Sequence, residues 1–334
     1  MFNRISRVVA ASLLLGSSFA GSLHAAEKEI NFGIISTESS QNLKAMWDPF
    51  LADMGRKTGM KIKAFFAPDY AGIIQGMRFD KVDVAWYGNK AAMEAVDRAG
   101  GEVFAQTVAA NGSQGYYSLM VVHKDSPLSS IDDVLQKAKE LTFANGDPNS
   151  TSGYLVPGYY VFAQNNVDAN KIFKRSLNGS HEVNALSVAN KQVDVGTFNS
   201  EGMERLEVTA PDKAAQLKVI WTSPLIPSDP MVWRKNLSAE DKATLREFFM
   251  SYGDQPAELK VLEGLQWGKF RASDDDQLLP IRQLELFKQR SDVANNGTLS
   301  EGDKQARLKE LDAQLAALQQ RMAEREKNDT ASAG

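Results

Sequence analysis

The sequence of 334 residues contains no cysteine and only three histidines. Without cysteine the chain has no disulfide bonds, no thiolate metal sites, no cysteine nucleophile and no thioether lipid anchor. It also lacks a long run of lysine and arginine, and 38 basic against 42 acidic residues give a net charge of −4. Nucleic acid attracts clustered positive charge, so the composition argues against nucleic acid as a partner.

Long apolar stretches are missing as well. A membrane-spanning helix needs roughly twenty consecutive apolar residues, and no segment has them. The apolar run 8–15 follows Arg4 and Arg7 and precedes small residues that end in Ala25 and Ala26. This order is typical of a cleaved secretory signal peptide. We therefore predict a signal peptide at residues 1–25, with cleavage after Ala25 or Ala26, and a freely diffusing periplasmic protein.

The familiar catalytic and metal-binding patterns are absent too. There is no Gly-x-Ser-x-Gly elbow and no Gly-Lys-Ser/Thr phosphate loop. Few histidines and no carboxylates clustered at ligand spacing leave neither a zinc site nor a two-metal site. We therefore expect no metal, no cofactor and no enzyme. A hydrolase with Ser150 as nucleophile and His181 as base stays as an alternative.

What the sequence does contain is an alternation of strand-like and helix-like segments. The composition, 43% hydrophobic and 24% charged, is that of a soluble globular protein. Apolar residues recur at intervals of three and four between Leu43 and Met54, which predicts a helix that runs to about Thr58, with Gly59 as its C-cap. Strands separated by helices predict an α/β fold with parallel sheets.

A weak internal repeat indicates two similar halves. Segments 81–89 and 192–200 each contain Val-Asp-Val, followed by an aromatic residue three positions later. Upstream, strand-like openings at 30–33 and 141–144 each lead into a cluster of serine and threonine. The first elements of the two halves are about 110 residues apart. We predict two similar α/β lobes.

Two extended segments are placed to join these lobes. The β-rich run 116–122 leads out of the first half, and 220–233, which carries three prolines, leads back. The predicted organisation is two lobes joined by a two-strand hinge and followed by C-terminal helices. Its parts are lobe 1 at 26–115 and 231–298, lobe 2 with hinge strands at both ends at 116–230, and a C-terminal helix and tail at 299–334.

The C-terminal segment has a heptad stripe. After a capping-box-like start, apolar residues recur at intervals of three and four, at Leu308, Leu311, Leu315, Leu318 and Met322. Two alternatives stay open. The helix docks on its own domain, or the stripe is a seam through which two copies form a homodimer.

The most informative local feature is the segment 145–154, which contains three consecutive hydroxyl residues. Ser150, Thr151 and Ser152 follow a predicted strand and precede a helix, so their hydroxyls and backbone N–H groups converge at the positive end of the helix dipole. One residue suffices for a helix cap, so three indicate an anion site. His181 is a candidate imidazolium for the same anion, whereas His123 suits a surface role.

Four segments resemble a known family in sequence and order: 65–74, 86–89, 149–160 and 224–230. They read Phe-Phe-Ala-Pro-Asp-Tyr-Ala-Gly-Ile-Ile, Trp-Tyr-Gly-Asn, Asn-Ser-Thr-Ser-Gly with Pro-Gly-Tyr-Tyr, and Pro-Leu-Ile-Pro-Ser-Asp-Pro. The chain resembles the periplasmic phosphonate-binding component of ABC transporters, from about Ile30 to the region 270–273. The resemblance implies a type II periplasmic binding-protein fold, in which two α/β lobes joined by a two-strand hinge close on a ligand. It also implies permease subunits as partners.

The resemblance also implies which residues bind. The phosphonate oxygens would contact Tyr70, Tyr116, Ser150, Thr151, Ser152 and His181. Glu201 and Asp229 would bind the ammonium of an aminoalkylphosphonate such as 2-aminoethylphosphonate. Separation of the acids from the oxyanion agrees with charge logic, because carboxylates beside a phosphonate would repel it. The segment 168–180 is expected to be a loop. Trp47, Tyr87 and Tyr154 are assigned to core packing rather than to the cleft.

The predicted function is capture of phosphonates, with 2-aminoethylphosphonate and related alkylphosphonates as the first choice, and their delivery to an ABC permease. The alternatives are the secreted phosphonate or phosphoester hydrolase, a binding protein for phosphite or phosphate esters, and a sensor that presents its ligand to a receptor.

Overall fold

A computed structural model describes the backbone of residues 28–332. The predicted signal peptide lies outside the described residues. Along the described part of the chain, no helix combines the length and the apolar character that a membrane crossing requires. The strands form two main sheets and a short two-stranded ribbon.

The first sheet has six strands in the order β13-β4-β12-β3-β1-β2. Strands β1, β2 and β3 are parallel, whereas β12 runs antiparallel to both of its neighbours. The sheet is therefore mixed, unlike the parallel one expected, because the chain that returns from the other lobe enters it in the opposite direction. Its strands are β1 (Glu29–Ile34), β2 (Lys61–Phe66), β3 (Val84–Trp86), β4 (Gly101–Gln106), β12 (Pro230–Arg234) and β13 (Arg271–Ala272).

The second sheet has five strands in the order β10-β6-β9-β7-β8, with β6 antiparallel to β9. Its last strand corrects the expected loop at 168–180, which contains a short helix and β8. Because β8 pairs in parallel with β7 along five residues, tertiary pairing orders a polar segment that has no strand pattern of its own. The strands are β6 (Ser118–His123), β7 (Thr142–Gly146), β8 (Arg175–Gly179), β9 (Val195–Asn199) and β10 (Leu217–Thr222).

Four strands follow the same order in both sheets, β12-β3-β1-β2 and β6-β9-β7-β8. The Asp of each Val-Asp-Val motif has the same role in both. Asp83 Oδ2 accepts the backbone N–H of Asn31 at 2.7 Å, and Asp194 Oδ2 accepts that of Thr142 at 2.7 Å. Each carboxylate thus ties its strand to the neighbouring parallel strand, β3 to β1 and β9 to β7. The two similar α/β lobes predicted from the repeat are confirmed.

Two short antiparallel strands, β5 (Gly115–Tyr116) and β11 (Ile226–Pro227), lie where the chain passes between the sheets. The predicted run 116–122 is thus split at Tyr117 into a hinge strand and β6, and 220–233 is split into three strands. The ribbon is the hinge. The numerical limits given above for the lobes stay a prediction.

Helices cover both sheets. The first begins after the N-cap Ser39 and ends at Gly59, whose φ of 68° is left-handed, as the sequence predicts. The helices are α1 (Ser40–Thr58), α2 (Tyr70–Arg78), α3 (Asn89–Arg98), α4 (Ile131–Lys137), α5 (Ala169–Ile172), α6 (His181–Ala189), α7 (Ser200–Thr209), α8 (Pro211–Ala214), α9 (Ala239–Ser251), α10 (Pro256–Gly264), α11 (Leu279–Ala294) and α12 (Glu301–Ser332). Residues 151–165 are also helical and include the π-helical turns Thr151–Leu155 and Gly158–Phe162.

The leucine stripe lies on α12, which packs along α11 of the same chain. Leu311 and Leu315 are buried, and Arg290 of α11 donates to Asp312 at 2.6 Å. The structure therefore has the first of the two expected alternatives, a helix docked on its own domain. A homodimer through this helix stays a prediction.

Candidate ligand-binding site

A cavity of about 50 Å³ lies between the two lobes. It lies beyond the carboxyl ends of β1, β3, β7 and β9, the edge at which open α/β sheets bind ligands. The eight candidate residues predicted from the sequence all line it: Tyr70, Tyr116, Ser150, Thr151, Ser152, His181, Glu201 and Asp229. They come from six separate parts of the chain, so the tertiary structure alone brings them together.

The hydroxyl run lies at the beginning of the helical segment 151–165, and each of its three residues is only 2% exposed. Ser150 is the N-cap, and its Oγ accepts the N–H of Gly153 at 2.9 Å. Thr151 Oγ1 accepts the backbone N–H of Lys90 from the other lobe at 2.8 Å. Hydroxyl groups and free N–H groups at a helix start are donors suited to an oxyanion.

Close packing of backbone against backbone positions this turn. A Cβ on Gly146, the last residue of β7, would lie 2.5 Å from the backbone of Gly153. A Cβ on Gly153 would in turn meet the His181 ring at 3.1 Å. The absence of both side chains lets the strand, the helical turn and the imidazole converge.

His181 begins α6 beside the hydroxyl run. Its Nε2 atom lies 3.3 Å from the Oγ atoms of both Ser150 and Ser152. Burial, with a smaller contribution from the positive charge of Arg205, lowers its pKa to about 4. The expected imidazolium is therefore wrong, because at neutral pH the ring is neutral and contributes hydrogen bonds rather than charge. Its Nδ1 atom is buried and has no partner among the described residues.

The two tyrosines are buried donors. Tyr70 begins α2, and its backbone N–H donates to Asp147 Oδ2 of the other lobe at 3.2 Å. The Tyr116 hydroxyl donates to Asp229 Oδ1 at 3.0 Å. Burial raises the pKa of both phenols, and nearby carboxylates raise it further. Both hydroxyls therefore keep their protons across the physiological range.

Glu201 and Asp229 form an acidic pair in the same cavity. Glu201 is in the first turn of α7, and Asp229 lies between β11 and β12. Burial raises the pKa of Glu201 to about 7, although Arg205 opposes the shift. Burial and the charge of Glu201 raise the pKa of Asp229 well above its usual value, against the effect of the Tyr116 hydrogen bond. Because burial disfavours the ionised form of both carboxylates, the pair is suited to a cationic ligand group.

Sequence reasoning missed several residues of the cavity. Thr37 Oγ1 and Arg205 Nε line it, are buried and have no partner among the described residues. Trp86 also lines it, beside Asp229. Asn199 donates through Nδ2 to Ser152 Oγ at 3.3 Å. Two signals were available, because Trp86 belongs to one of the family-like segments and Arg205 lies four residues after Glu201 on one helix.

Other candidate residues do not line this cavity. For Trp47, Tyr87 and Tyr154 the sequence predicts this. Trp47 and Tyr87 are core residues, at most 1% exposed, and Tyr154 lines a separate small cavity. His123 does not lie on the surface as expected. It is 8% exposed at the end of β6, and its Nδ1 accepts the N–H of Asp125 at 3.2 Å.

Several bonds join the lobes around the cavity. The Oε2 atom of Glu182 on α6 accepts the N–H of Ser39 at 2.7 Å, and its Oε1 accepts the amide of Asn42 at 2.7 Å. Arg205 forms an ion pair with Glu38. These contacts exist only when the lobes are together, so the structure is the closed form.

Two similar α/β lobes, a two-strand hinge and a polar cavity enclosed between them define a type II periplasmic binding protein, a receptor that closes on a small ligand. The family model of periplasmic substrate-binding proteins of phosphonate ABC transporters matches residues 32–278. The chain belongs to this family, which assigns it to the periplasm and to transport proteins that bind a substrate rather than to enzymes.

Individual relatives agree. The chain is 61% identical over 313 residues to the phosphonates-binding periplasmic protein of Escherichia coli (strain K12), covering 93% of this chain and 92% of the relative. A crystal structure of a binding protein component of an ABC phosphonate transporter from Pseudomonas aeruginosa is 72% identical, with a TM-score of 0.89, and the match covers 90% of this chain and 99% of that one.

More distant relatives share the fold. A structure from Prochlorococcus marinus (MIT 9301) in complex with methylphosphonate has a TM-score of 0.69 at 23% identity, and the match covers 77% of this chain and 97% of that one. A probable ABC transporter phosphite binding protein from the same organism is 27% identical over 229 residues, or 67% of this chain and 75% of the relative.

Proposed function

We propose that the protein captures 2-aminoethylphosphonate and related alkylphosphonates and delivers them to the permease subunits of an ABC transporter. The observation that carries this proposal is the polarity of one cavity. Its lining combines uncharged hydrogen-bond donors with two carboxylates whose pKa values are raised. A zwitterion with an anionic head and a cationic tail matches that combination.

The phosphonate oxygens are bound by the hydroxyls of Ser150, Thr151 and Ser152, with Tyr70, Tyr116 and His181. A phosphonate dianion needs several donors, and each charge-assisted hydrogen bond contributes about 1.5–3 kcal/mol. The neutral His181 ring supports this role as a donor from Nε2 or Nδ1. The neutral ring forms no ion pair with the ligand, so hydrogen bonds and the helix dipole bind the phosphonate group.

Glu201 and Asp229 bind the ammonium group. Their raised pKa values show that nearby positive charge compensates only part of the cost of burying them, and an ammonium supplies further compensation. The Tyr116 hydroxyl, bonded to Asp229, lies at the junction between the two ends of the ligand. Selection against bare phosphate follows, because without a cation the pair is left uncompensated.

The hydrolase alternative has one observation in its favour, the 3.3 Å contact between Ser150 Oγ and His181 Nε2. Two others oppose it. The Ser150 oxygen already accepts the N–H of Gly153, and His181 Nδ1 has no partner among the described residues, so no carboxylate orients the ring. Steady release of phosphate from 2-aminoethylphosphonate by purified protein would establish hydrolysis and overturn the transport proposal.

Calorimetric titration of the refolded protein with four anions tests the ligand. Refolding removes any ligand carried through purification. We expect 2-aminoethylphosphonate to bind more tightly than methylphosphonate, and methylphosphonate more tightly than phosphite or phosphate. A tighter complex with phosphite or with a phosphate ester would replace the proposed ligand by that alternative.

The homodimer is a separate proposal, which rests on the exposure of α12. Leu318 and Met322 of the stripe are only partly buried against the same chain. Sedimentation of the full chain and of a chain truncated after Asn296 tests it. If truncation lowers the measured mass to less than half that of the full chain, the dimer is supported. If both chains sediment as monomers, the dimer is contradicted.

The sensor alternative requires a receptor in place of permease subunits. It is tested by measuring which of the two the liganded protein binds.

A further inference from the structure

One face of α7 carries two opposite charges beside the cavity. Glu201, Arg205 and Thr209 recur at intervals of four on this helix, and all three line the cavity. Residues four apart on a helix are neighbours, with Cβ atoms about 5–6 Å apart. The cavity wall therefore presents a carboxylate and a guanidinium next to each other, one helical turn apart.

The guanidinium of Arg205 is only partly satisfied. Its Nη1 atom donates to Glu38 and its Nη2 atom to Gln266 Oε1 at 2.9 Å, both from the other lobe. Its Nε atom is buried and has no acceptor among the described residues. A buried charged donor without an acceptor lowers the stability of the protein. A ligand that brings an acceptor therefore recovers this free energy when it binds.

Arg205 is also the only lysine or arginine among the described residues that line this cavity. Glu38 and Gln266 hold two of its nitrogens, so the planar guanidinium has a fixed orientation. A fixed, planar cation is well suited to a carboxylate. The acidic pair Glu201 and Asp229 would repel an isolated anion here, and an anion that carries its own ammonium avoids this repulsion.

We propose that Arg205 and Glu201 form a subsite for the α-amino carboxylate of phosphonates that are amino acids, a proposal that rests on the function proposed above. The probe is 2-amino-3-phosphonopropionate, which is 2-aminoethylphosphonate with a carboxylate on the carbon that bears the amine. Its ammonium binds Glu201 and Asp229, and its carboxylate accepts the Nε–H of Arg205. The ammonium and the carboxylate are bonded to the same carbon, and they match Glu201 and Arg205, which lie one helical turn apart on α7.

Calorimetry with both ligands tests the subsite, and the measured quantity is the ratio of their dissociation constants. The wild-type protein binds 2-amino-3-phosphonopropionate within about tenfold of 2-aminoethylphosphonate. Arg205→Gln raises the dissociation constant for 2-amino-3-phosphonopropionate, relative to that for 2-aminoethylphosphonate, by about tenfold or more, because one charge-assisted hydrogen bond is lost. Arg205→Lys keeps the charge but loses Nε, and it raises the ratio in the same direction.

Glu182→Gln is the matched control. It weakens two contacts between the lobes and leaves Arg205 and both of its acceptors in place, so it weakens both ligands by the same factor and leaves the ratio unchanged. An unchanged ratio in both Arg205 variants would reduce Arg205 to a contact between lobes and overturn the subsite. Wild-type protein that binds 2-aminoethylphosphonate but not its carboxylate analogue would also overturn it. Failure to bind either ligand would instead contradict the proposed function.

Discussion

The hydroxyl of Tyr116 donates a hydrogen bond to Oδ1 of Asp229 at 3.0 Å. Tyr116 ends the first hinge strand, and Asp229 follows the second by two residues. The hinge itself thus holds one of the two carboxylates of the cavity. Because the two strands are paired, with Tyr116 opposite Ile226, the hinge ribbon fixes the position of Asp229 in the cavity.

The first prediction concerns the acidic pair. Glu201→Gln should weaken 2-aminoethylphosphonate by about tenfold or more, since a charge-assisted contact with the ammonium is lost. Methylphosphonate, which has no amine, should bind the variant about as well as the wild type. Calorimetry with both ligands measures the difference. Equal losses for the two would show that Glu201 does not face an amine.

The second prediction concerns the hydroxyl run. Thr151→Val keeps the shape of the side chain and removes its oxygen, which in the structure accepts the N–H of Lys90. Both phosphonates should weaken by a similar factor, about tenfold, because the group they share loses a contact. Thr244→Val, which removes a hydroxyl bonded within α9, is the control and should change neither affinity. A loss confined to the aminophosphonate would contradict this assignment.

The third prediction is proton release on binding. In the closed form, burial raises the pKa of Glu201 to about 7 and also raises that of Asp229. An ammonium favours the ionised carboxylates and therefore lowers both pKa values, so binding releases protons near pH 7. Affinity for 2-aminoethylphosphonate should rise with pH up to the pKa of Glu201, about 7, and then level off.

Calorimetry in two buffers with different ionisation enthalpies measures the number of protons released. Methylphosphonate is the control, because it carries a similar titrating head and no amine. The two ligands should differ by a net proton release for the aminophosphonate. If both release the same number of protons, the carboxylates do not contact the amine.

The fourth prediction concerns closure of the lobes. Glu182 accepts two bonds from the other lobe, so Glu182→Gln should destabilise the closed form and weaken every phosphonate by a common factor, about fivefold to tenfold. Glu207→Gln changes an exposed carboxylate of α7 and should have no effect. Calorimetry gives the factor, and small-angle scattering reports the compaction on ligand addition. A change in preference between ligands would place Glu182 in contact with the ligand.

The local signals in the sequence were sufficient for much of the fold. Apolar periodicity and Gly59 gave α1 its limits, and the Val-Asp-Val repeat predicted two similar lobes. Strand β8 was missed because its residues are polar and exposed, and only pairing with β7 makes them a strand. The split of the hinge segments was missed for a similar reason, since pairing between distant strands decides where each one ends.

The eight candidate residues lie in one cavity, yet the resemblance to a family led to most of them. The residues by themselves pointed only to the hydroxyl run and to His181. The charge of His181 was predicted wrongly, because a pKa depends on desolvation and on the nearby Arg205, and neither is visible in a local pattern.

The alternation of strands and helices, the repeat that indicates two lobes and the donor-rich helix start could be predicted from the sequence alone, since each depends on residues close together in the chain. The tertiary structure decided which side chains meet: Tyr116 with Asp229, Arg205 with Glu38, and Glu182 with Ser39. These contacts join residues about 110 to 170 positions apart. The first lies at the hinge, and the other two cross a cleft that exists only when both lobes have folded and closed. The ionisation of the cavity follows from the same closure, because burial sets those pKa values.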